Sequence, residues 1–496
     1  MISAAVAEAQ KTNNVAATSL AYDEMAKDWQ VVTDFLGSTR SLRDLGPRWL
    51  PRMKKEKSEN YLRRLSTSYL YPMFRDTVDK IVARPFSRDI QIKGDLPARL
   101  EPMLANADGR GSSLTQFTRA VFRDAIAYGK SHILVEFPAG GAGETEQDQV
   151  RAGKVPFLTF IPAAQLIAWN DHVDDAGRRV LDEIRFAEQE VVPFGAYAQR
   201  VMEVIWLLRG DGSWEKWWRR LTNSNRGTYT IAESGVRSVP QIQLVTIYTH
   251  YLDHLVARPP LLDLAWTNAA HLQFLSRQND HEQFLRTPIF MRSGWTQEEI
   301  EKGVDLGASE GIGSTSAEAK AAWIESTGQA AAIGRAGIRA TEEHAETQGL
   351  QHMATRTGDV RATAIAVDEA KTINNIQAWI RAMERGLEQA FGFAAELVRQ
   401  PLPEDLRVDI WSDFPLDARA GTDIPQLLEL YRAGALPLRE LLAGVRLRGL
   451  LPPEADIEAI AQQVESRGPP LSLVGLGGPF DGAGSSNGAG SFAGRP

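Results

Sequence analysis

Apolar residues recur at three-and-four spacing over 59–83, where Tyr61, Leu65, Tyr69, Phe74, Val78, Ile81 and Val82 fall on one side of a helix. Pro72 should kink or restart that helix. Residues 1–45 read as a helical lead-in, interrupted at Leu36-Gly37-Ser38 and ended by Gly46-Pro47. Ile90-Gln91-Ile92 alternates as a short strand. After the loop Asp108-Gly109-Arg110-Gly111, Ser112 or Ser113 is placed to cap a helix bearing Leu114, Phe117, Val121, Phe122, Ile126 and Tyr128. Gly129 is placed to end it, because the left-handed residue that closes a helix is usually glycine. His132 to Phe137 reads as a buried strand stopped by Pro138, and 139–153 as a polar loop.

Between 155 and 250 the pattern shortens to runs rich in Val, Ile, Trp and Tyr. The runs 157–161, 166–169, 179–186, 200–209, 214–221, 229–233 and 244–248 are separated by turn signals such as Gly210-Asp211-Gly212. They predict one antiparallel meander. At Pro259-Pro260 the helical period returns. Residues 261–286 predict a long helix with a narrow apolar stripe and wide polar flanks, as expected of a helix packed beside copies of itself. A small mixed insert follows at 288–327: a strand at Ile289-Phe290-Met291, a helix start with capping-box character at Thr296-Gln297-Glu298-Glu299, a glycine-rich loop, and a strand at Ala322-Trp323-Ile324-Glu325. Then come a helix at about 329–349, a polar break at 351–361 and the longest helix, about 363–399, closed by Pro401 and Pro403. A strand at 406–411 and small helices lead to 466. The Gly-, Ser- and Pro-rich remainder is expected to be disordered. The class predicted is α+β, mainly helical with a β-rich middle.

Composition narrows the function. The 496 residues suffice for two or more packing units, and 43% hydrophobic with 24% charged residues is globular. There is no cysteine, which removes disulfides and thiolate metal sites. The opening residues lack a basic head followed by an apolar run, and no stretch approaches the length of a membrane span. The net charge of -8 argues against a protein that grips DNA phosphates and is compatible with one that lets DNA slide past.

Catalytic patterns are sparse. Gly129-Lys130-Ser131 ends like a phosphate-binding loop, but Asp124 stands where the motif needs its first glycine. The order is also helix to strand, not strand to helix, so Gly129 reads as a helix cap. His281-Glu282 begins like a zinc-protease motif, but Leu285 stands at the second histidine position, and no metal site is expected. Glu298-Glu299, Glu342-Glu343 and Asp368-Glu369 are neighbours on helices, where adjacent side chains diverge. Trp206, Trp214, Trp217 and Trp218 could form a sugar-binding platform, or simply cross-strand pairs within a sheet. No cofactor is called for.

The order of elements resembles that of tailed-bacteriophage portal proteins, ring subunits of the head–tail connector. Local wording agrees: Ser113-Leu114-Thr115-Gln116-Phe117, Tyr128 through Pro138, Phe160-Ile161-Pro162-Ala163 with Ile167-Ala168-Trp169-Asn170, and Trp323-Ile324-Glu325-Ser326-Thr327-Gly328 are similar to stretches in one branch of that family. The resemblance spans about 55–465. It implies N-terminal helices and a β-rich wing (1–260), a stem helix (261–287), a clip (288–328), a second stem helix (329–350), a tunnel loop (351–362), a long wing helix (363–400), a crown (401–466) and a tail (467–496). It further implies a non-enzymatic virion subunit at a capsid vertex, assembled in the host cytoplasm as a homododecamer around the DNA channel. Its partners would be the major capsid protein, the terminase large subunit and head–tail adaptor proteins. Gln351, His352, Thr355, Arg356, Thr357 and Arg361 of the tunnel loop would touch double-stranded DNA without reading sequence. Trp295, Glu298 and Glu299 of the clip would meet the docking partners. Another virion protein, minor head or injected, and a carbohydrate-binding enzyme built on the tryptophan-rich strands are the alternatives.

Overall fold

The computed structural model describes residues 14–138, 145–221, 227–237, 239, 241–285, 289–301, 314–324, 329–348, 362–412, 424–434, 436–447, 451 and 456–467. The chain divides into two units, Met1–Ser412 and Asp413–Pro496. The division falls inside 401–466, so the first residues of that predicted segment belong to the larger unit.

In the larger unit, Ser19 caps helix α1 (Leu20–Leu36), whose Met25, Trp29, Val32 and Phe35 are buried. Helix α2 (Thr39–Leu45) follows, and then two separate helices, α3 (Ser58–Thr67) and α4 (Met73–Ala83), interrupted around Pro72 as expected. Strand β1 (Gln91–Lys93) precedes helix α5 (Leu114–Tyr128). Ser113 and Gln116 close a capping box at its start, and Gly129 ends it at φ 92 with its N–H on the Ala125 carbonyl. A Cβ on Gly129 would lie 2.3 Å from the Arg258 carbonyl oxygen, so the position demands glycine both for conformation and for space.

The strands follow in order: β2 (Lys130–Glu136), β3 (Phe157–Ile161), β4 (Leu166–Val173), β5 (Arg179–Phe194), β6 (Ala198–Arg209), β7 (Ser213–Arg220), β8 (Thr230–Val236), β9 (Leu244–Tyr248), β10 (Tyr251–Asp253) and β11 (Val256–Ala257). The single meander predicted for this region is corrected. Only β4 to β8 form one, with order β4-β5-β6-β7-β8, while β3 and β9 flank β2 in a separate antiparallel sheet. The reason is that β2 is buried along nearly its whole length and needs a partner on each edge. Leu134, Leu244 and Ile161 of the small sheet pack with Ile184, Phe186 and Leu208 of the large one.

Helix α6 (Leu262–Leu285), strand β12 (Ile289–Ser293), helix α7 (Gln297–Glu301), strand β13 (Lys320–Ile324), helix α8 (Gln329–Gln348) and helix α9 (Ala362–Val398) complete the body. Helix α9 lies against β9, and Gly386 permits the close approach: a Cβ there would be 2.9 Å from Ile247 Cγ1. Strand β14 (Arg407–Asp409) returns to pair with β1. The smaller unit contains helices α10 (Ile424–Arg432), α11 (Leu438–Leu447) and α12 (Ile457–Arg467), with an Arg439–Glu458 ion pair joining the last two. Helices and antiparallel sheets together make the fold α+β, as the sequence predicts.

Candidate functional site

Helices α6 and α8 form an antiparallel hairpin. Gln278 Nε2 donates to the Ala331 carbonyl at 3.0 Å, Arg335 pairs with Glu282 at 3.1 Å, and His271 Nε2 lies 3.1 Å from Glu342 Oε1. Gln278 and Glu282, late in α6, meet the start of α8, whereas His271, earlier in α6, meets Glu342 near its end, which fixes the direction. Gly334 leaves room for the Gln278 side chain of α6, since a Cβ there would fall 1.9 Å from its Oε1.

The polar flank of α6 is used inside the same chain, which departs from the expectation that it faces water and copies. Asn268 is fully buried; its Oδ1 accepts the Phe74 N–H at 3.1 Å and its Nδ2 donates to the Tyr71 carbonyl at 2.8 Å. That satisfies a donor which the first turn of α4 leaves open. Ser276 Oγ meets Ser68 Oγ at 2.7 Å beside the buried Arg64–Glu56 ion pair. Two large apolar side chains of α6 also face outward, among exposed polar ones: Trp266 is 53% and Phe274 48% exposed.

The insert between the helices is a two-stranded ribbon, β12 with β13, paired from Ile289↔Ile324 to Ser293↔Lys320. Arg292 of β12 donates to the Glu299 carbonyl of helix α7 at 3.1 Å, and the Glu299 side chain ties the helix to the segment leading into β13. That carboxylate accepts the Thr296 N–H at 3.0 Å, the Ser314 hydroxyl at 2.9 Å and the Thr315 N–H at 2.9 Å. The Thr315 N–H first, then that of Thr296, hold its pKa down at about 2. Trp295 is half-buried, with its indole N–H on the Lys320 carbonyl at 3.3 Å and the Arg292 guanidinium 5.2 Å from its ring centre. Glu298 is exposed. Of the three predicted clip residues, Trp295 and Glu299 are engaged within the insert and Glu298 is presented outward. Gln351, His352, Thr355, Arg356, Thr357 and Arg361 lie outside the described residues.

The tryptophans in the strands pack as sheet neighbours. Trp206 stacks on Phe186 at 6.2 Å and meets Trp214 at 5.7 Å, both against the core between the sheets. On the other face a groove of about 610 Å³ is lined by Trp217 and by Arg185, Arg209 and Arg219. These arginines pair with Glu183, Glu215 and Glu203 in turn.

One cluster was not foreseen. Lys130 is fully buried between the Trp29 and Trp169 rings, 5.5 and 4.8 Å away, and donates to the Leu255 carbonyl at 2.5 Å. Leu255 holds φ 57, a conformation that strains a branched side chain, and its N–H is bonded to Tyr248 Oη at 2.9 Å. Lys130 and Tyr248 thus pin both polar groups of the strained residue just ahead of α6. Burial drives the Lys130 ammonium down to about 7, against the attraction of Asp124. Burial likewise raises Asp124 to about 7, opposed by the Ala163 N–H on its carboxylate at 2.8 Å. His132, also buried, is pushed well below the usual imidazole value by desolvation and then by Lys130. The only sequence signal was polar residues, Lys130-Ser131-His132, opening a strand otherwise apolar.

Among the described residues no group of three His, Cys, Asp or Glu side chains is arranged to hold a metal ion, and no helix is long and apolar enough to cross a membrane. Residues 260–398, from the start of α6 to the end of α9, match the family described as a domain of unknown function, DUF4055. Two solved structures are similar. One is a chain of the neck of an empty gene transfer agent particle, 10% identical, covering 80% of this chain and 96% of that one at a TM-score of 0.38. The other is a chain of the virion of a native gene transfer agent particle, 10% identical, covering 83% and 99% at a TM-score of 0.38. No curated protein sequence matches the chain.

Proposed function

We propose that this chain is a structural subunit of a tailed-phage-like particle, and more specifically a portal-type subunit that closes into a ring around the DNA channel. One observation carries the reading. An antiparallel helical hairpin, α6 with α8, bears a small β/α insert at its far end and stands between a β-rich region and the long helix α9. That is the order of stem, clip, second stem helix and long wing helix in the family the sequence resembles.

In this reading the chain has no catalytic residues, and a separate terminase ATPase supplies the work of packaging. The insert, with Trp295 and Glu298 at its surface, is the docking point for terminase and later for adaptor proteins. The 351–361 segment, with Arg356 and Arg361, contacts DNA phosphates in the channel, and the wing meets capsid protein. A ring also gives the outward Trp266 and Phe274 a neighbour to cover them.

The test is negative-stain electron microscopy of the purified full chain. Rings with a central hole, about twelvefold, support the reading. A monomer that persists at high concentration and with scaffold and capsid protein added overturns it.

A further inference from the structure

The strands of the large sheet differ in length. Strand β5 has 16 residues and β6 has 12. Strand β4 pairs with β5 no further than Leu166↔Phe186, and β7 pairs with β6 no further than Met202↔Arg220. The β5–β6 ladder continues to Phe194↔Ala198. From Val191↔Val201 outward the two strands form an arm with no third strand on either side among the described residues. At about 3.4 Å per residue, the uncovered edge of β5 from Ala187 to Phe194 runs about 25 Å. A two-stranded ribbon of this kind is marginal alone.

The arm also exposes what a free ribbon would normally hide. Val191 is 57%, Phe194 48% and Tyr197 103% exposed. The guanidinium groups of Arg200 and Arg220 lie over the Phe194 ring at 5.2 and 5.7 Å. Elsewhere on the sheet Arg185, Arg209, Lys216 and Arg219 each pair with a glutamate. Arg200 and Arg220 have no carboxylate partner among the described residues, and Arg200 Nε is buried without a hydrogen bond. The opposite end of the same sheet has the reverse character. Asp175 in the β4–β5 turn and Asp211 in the β6–β7 turn, with Asp253 in the β10–β11 ribbon beside Arg179 of β5, are exposed and form no ion pair among the described residues, whereas Arg178 and Arg179 there pair with Asp174 and Asp171.

We propose that the β5–β6 arm is an intersubunit strap: Phe194, Tyr197, Arg200 and Arg220 of one copy dock on the far end of the large sheet and the adjoining β10, at Asp175, Asp211 and Asp253, of a second copy. The proposal rests on the ring reading and adds which surfaces meet. Two different ends of one molecule make a head-to-tail contact, the kind that closes into a ring. Unpaired arginines facing unpaired aspartates give the contact its direction, although two chains of net charge -8 repel overall. Pro193 has no N–H to offer, which weakens strand addition along that edge, so the side chains make the contact.

The experiment measures the assembly state of the full chain by mass photometry and sedimentation velocity across protein and salt concentration. Phe194→Ser with Tyr197→Ser, and separately Arg200→Glu with Arg220→Glu, should each raise the concentration for half-assembly about tenfold or more. Far-UV circular dichroism should stay unchanged, since these side chains are largely outside the core. Asp175→Arg with Asp211→Arg and Asp253→Arg should restore assembly to the Arg200→Glu/Arg220→Glu chain. A photo-crosslinker at position 197 of the otherwise unaltered chain should capture the peptides holding residues 175, 211 or 253 of another copy. Wild-type rings with both arm variants assembling at the wild-type concentration, or crosslinks only elsewhere, overturn the strap and leave the ring reading standing. A wild-type chain that never assembles overturns both.

Discussion

Replacing Lys130 by methionine keeps the length of the side chain and removes its proton. In the folded chain that proton leaves at about pH 7, whereas in the unfolded chain it leaves near 10.5. Across this window the unfolded state binds more protons, so stability rises with pH by about 1.4 kcal/mol per unit. The contribution is fully present above 10.5 and is lost as pH falls through 7. Asp124 works in the opposite sense: its folded pKa of about 7 lies above the ordinary 3.8, so its contribution is present below 3.8 and lost as pH rises through 7. It has therefore run its course before pH 7.5. Between pH 7.5 and 9.5 the wild type should gain up to about 3 kcal/mol relative to Lys130→Met. Losing the bond to the Leu255 carbonyl and the two ring contacts shifts the comparison by a constant, while losing the Lys130 charge raises Asp124 further in the variant, whose stability then falls as pH rises, a change of the same sign. Urea unfolding followed by tryptophan fluorescence is the assay, because Trp29 and Trp169 are the rings that enclose the ammonium. A stability difference that stays constant from pH 7.5 to 9.5 would refute the reasoning.

Three further substitutions probe the joints. Gly129→Ala places a side chain at φ 92 and 2.3 Å from the Arg258 carbonyl oxygen; a loss of at least about 2 kcal/mol in the same urea assay is expected, and a neutral result would show that the junction yields. Gly334→Leu should part α6 from α8 at a cost of about 1–3 kcal/mol, read as a lower urea midpoint, with disulfide trapping of cysteines at 271 and 342 losing efficiency. Glu299 has a folded pKa of about 2, below its ordinary 4.5, so its contribution is present above 4.5 and lost as pH falls through 2. Glu299→Gln should accordingly speed trypsin cleavage of the insert at pH 7, while the wild-type insert still resists pepsin at pH 3.5; equal cleavage rates would count against the role given to that carboxylate.

Local signals in the sequence determined a good part of this molecule. The limits of α5 follow from Ser113 and Gly129, because a cap depends on atoms only a few residues away. The break near Pro72 and the extents of α6, α8 and α9 follow from proline and helical spacing, and the outline of the insert from its two apolar runs. Partner choice was not available in the same way. A strand's alternation tells which face is buried and nothing about its neighbour, so β3 and β9 were read into one meander and instead flank β2. Strand β5 was expected to stop at 186 and runs to Phe194, because the ladder with β6 continues where β4 no longer pairs. The polar residues of α6 look in sequence like a surface for copies, yet Asn268 and Ser276 are bonded within one chain and His271 Nε2 reaches Glu342; helical period cannot distinguish the two. Lys130 makes the same point for the site. Its burial comes from Trp29, Trp169 and Leu255, each far from it in the chain, and only the tertiary structure brings those groups around one ammonium.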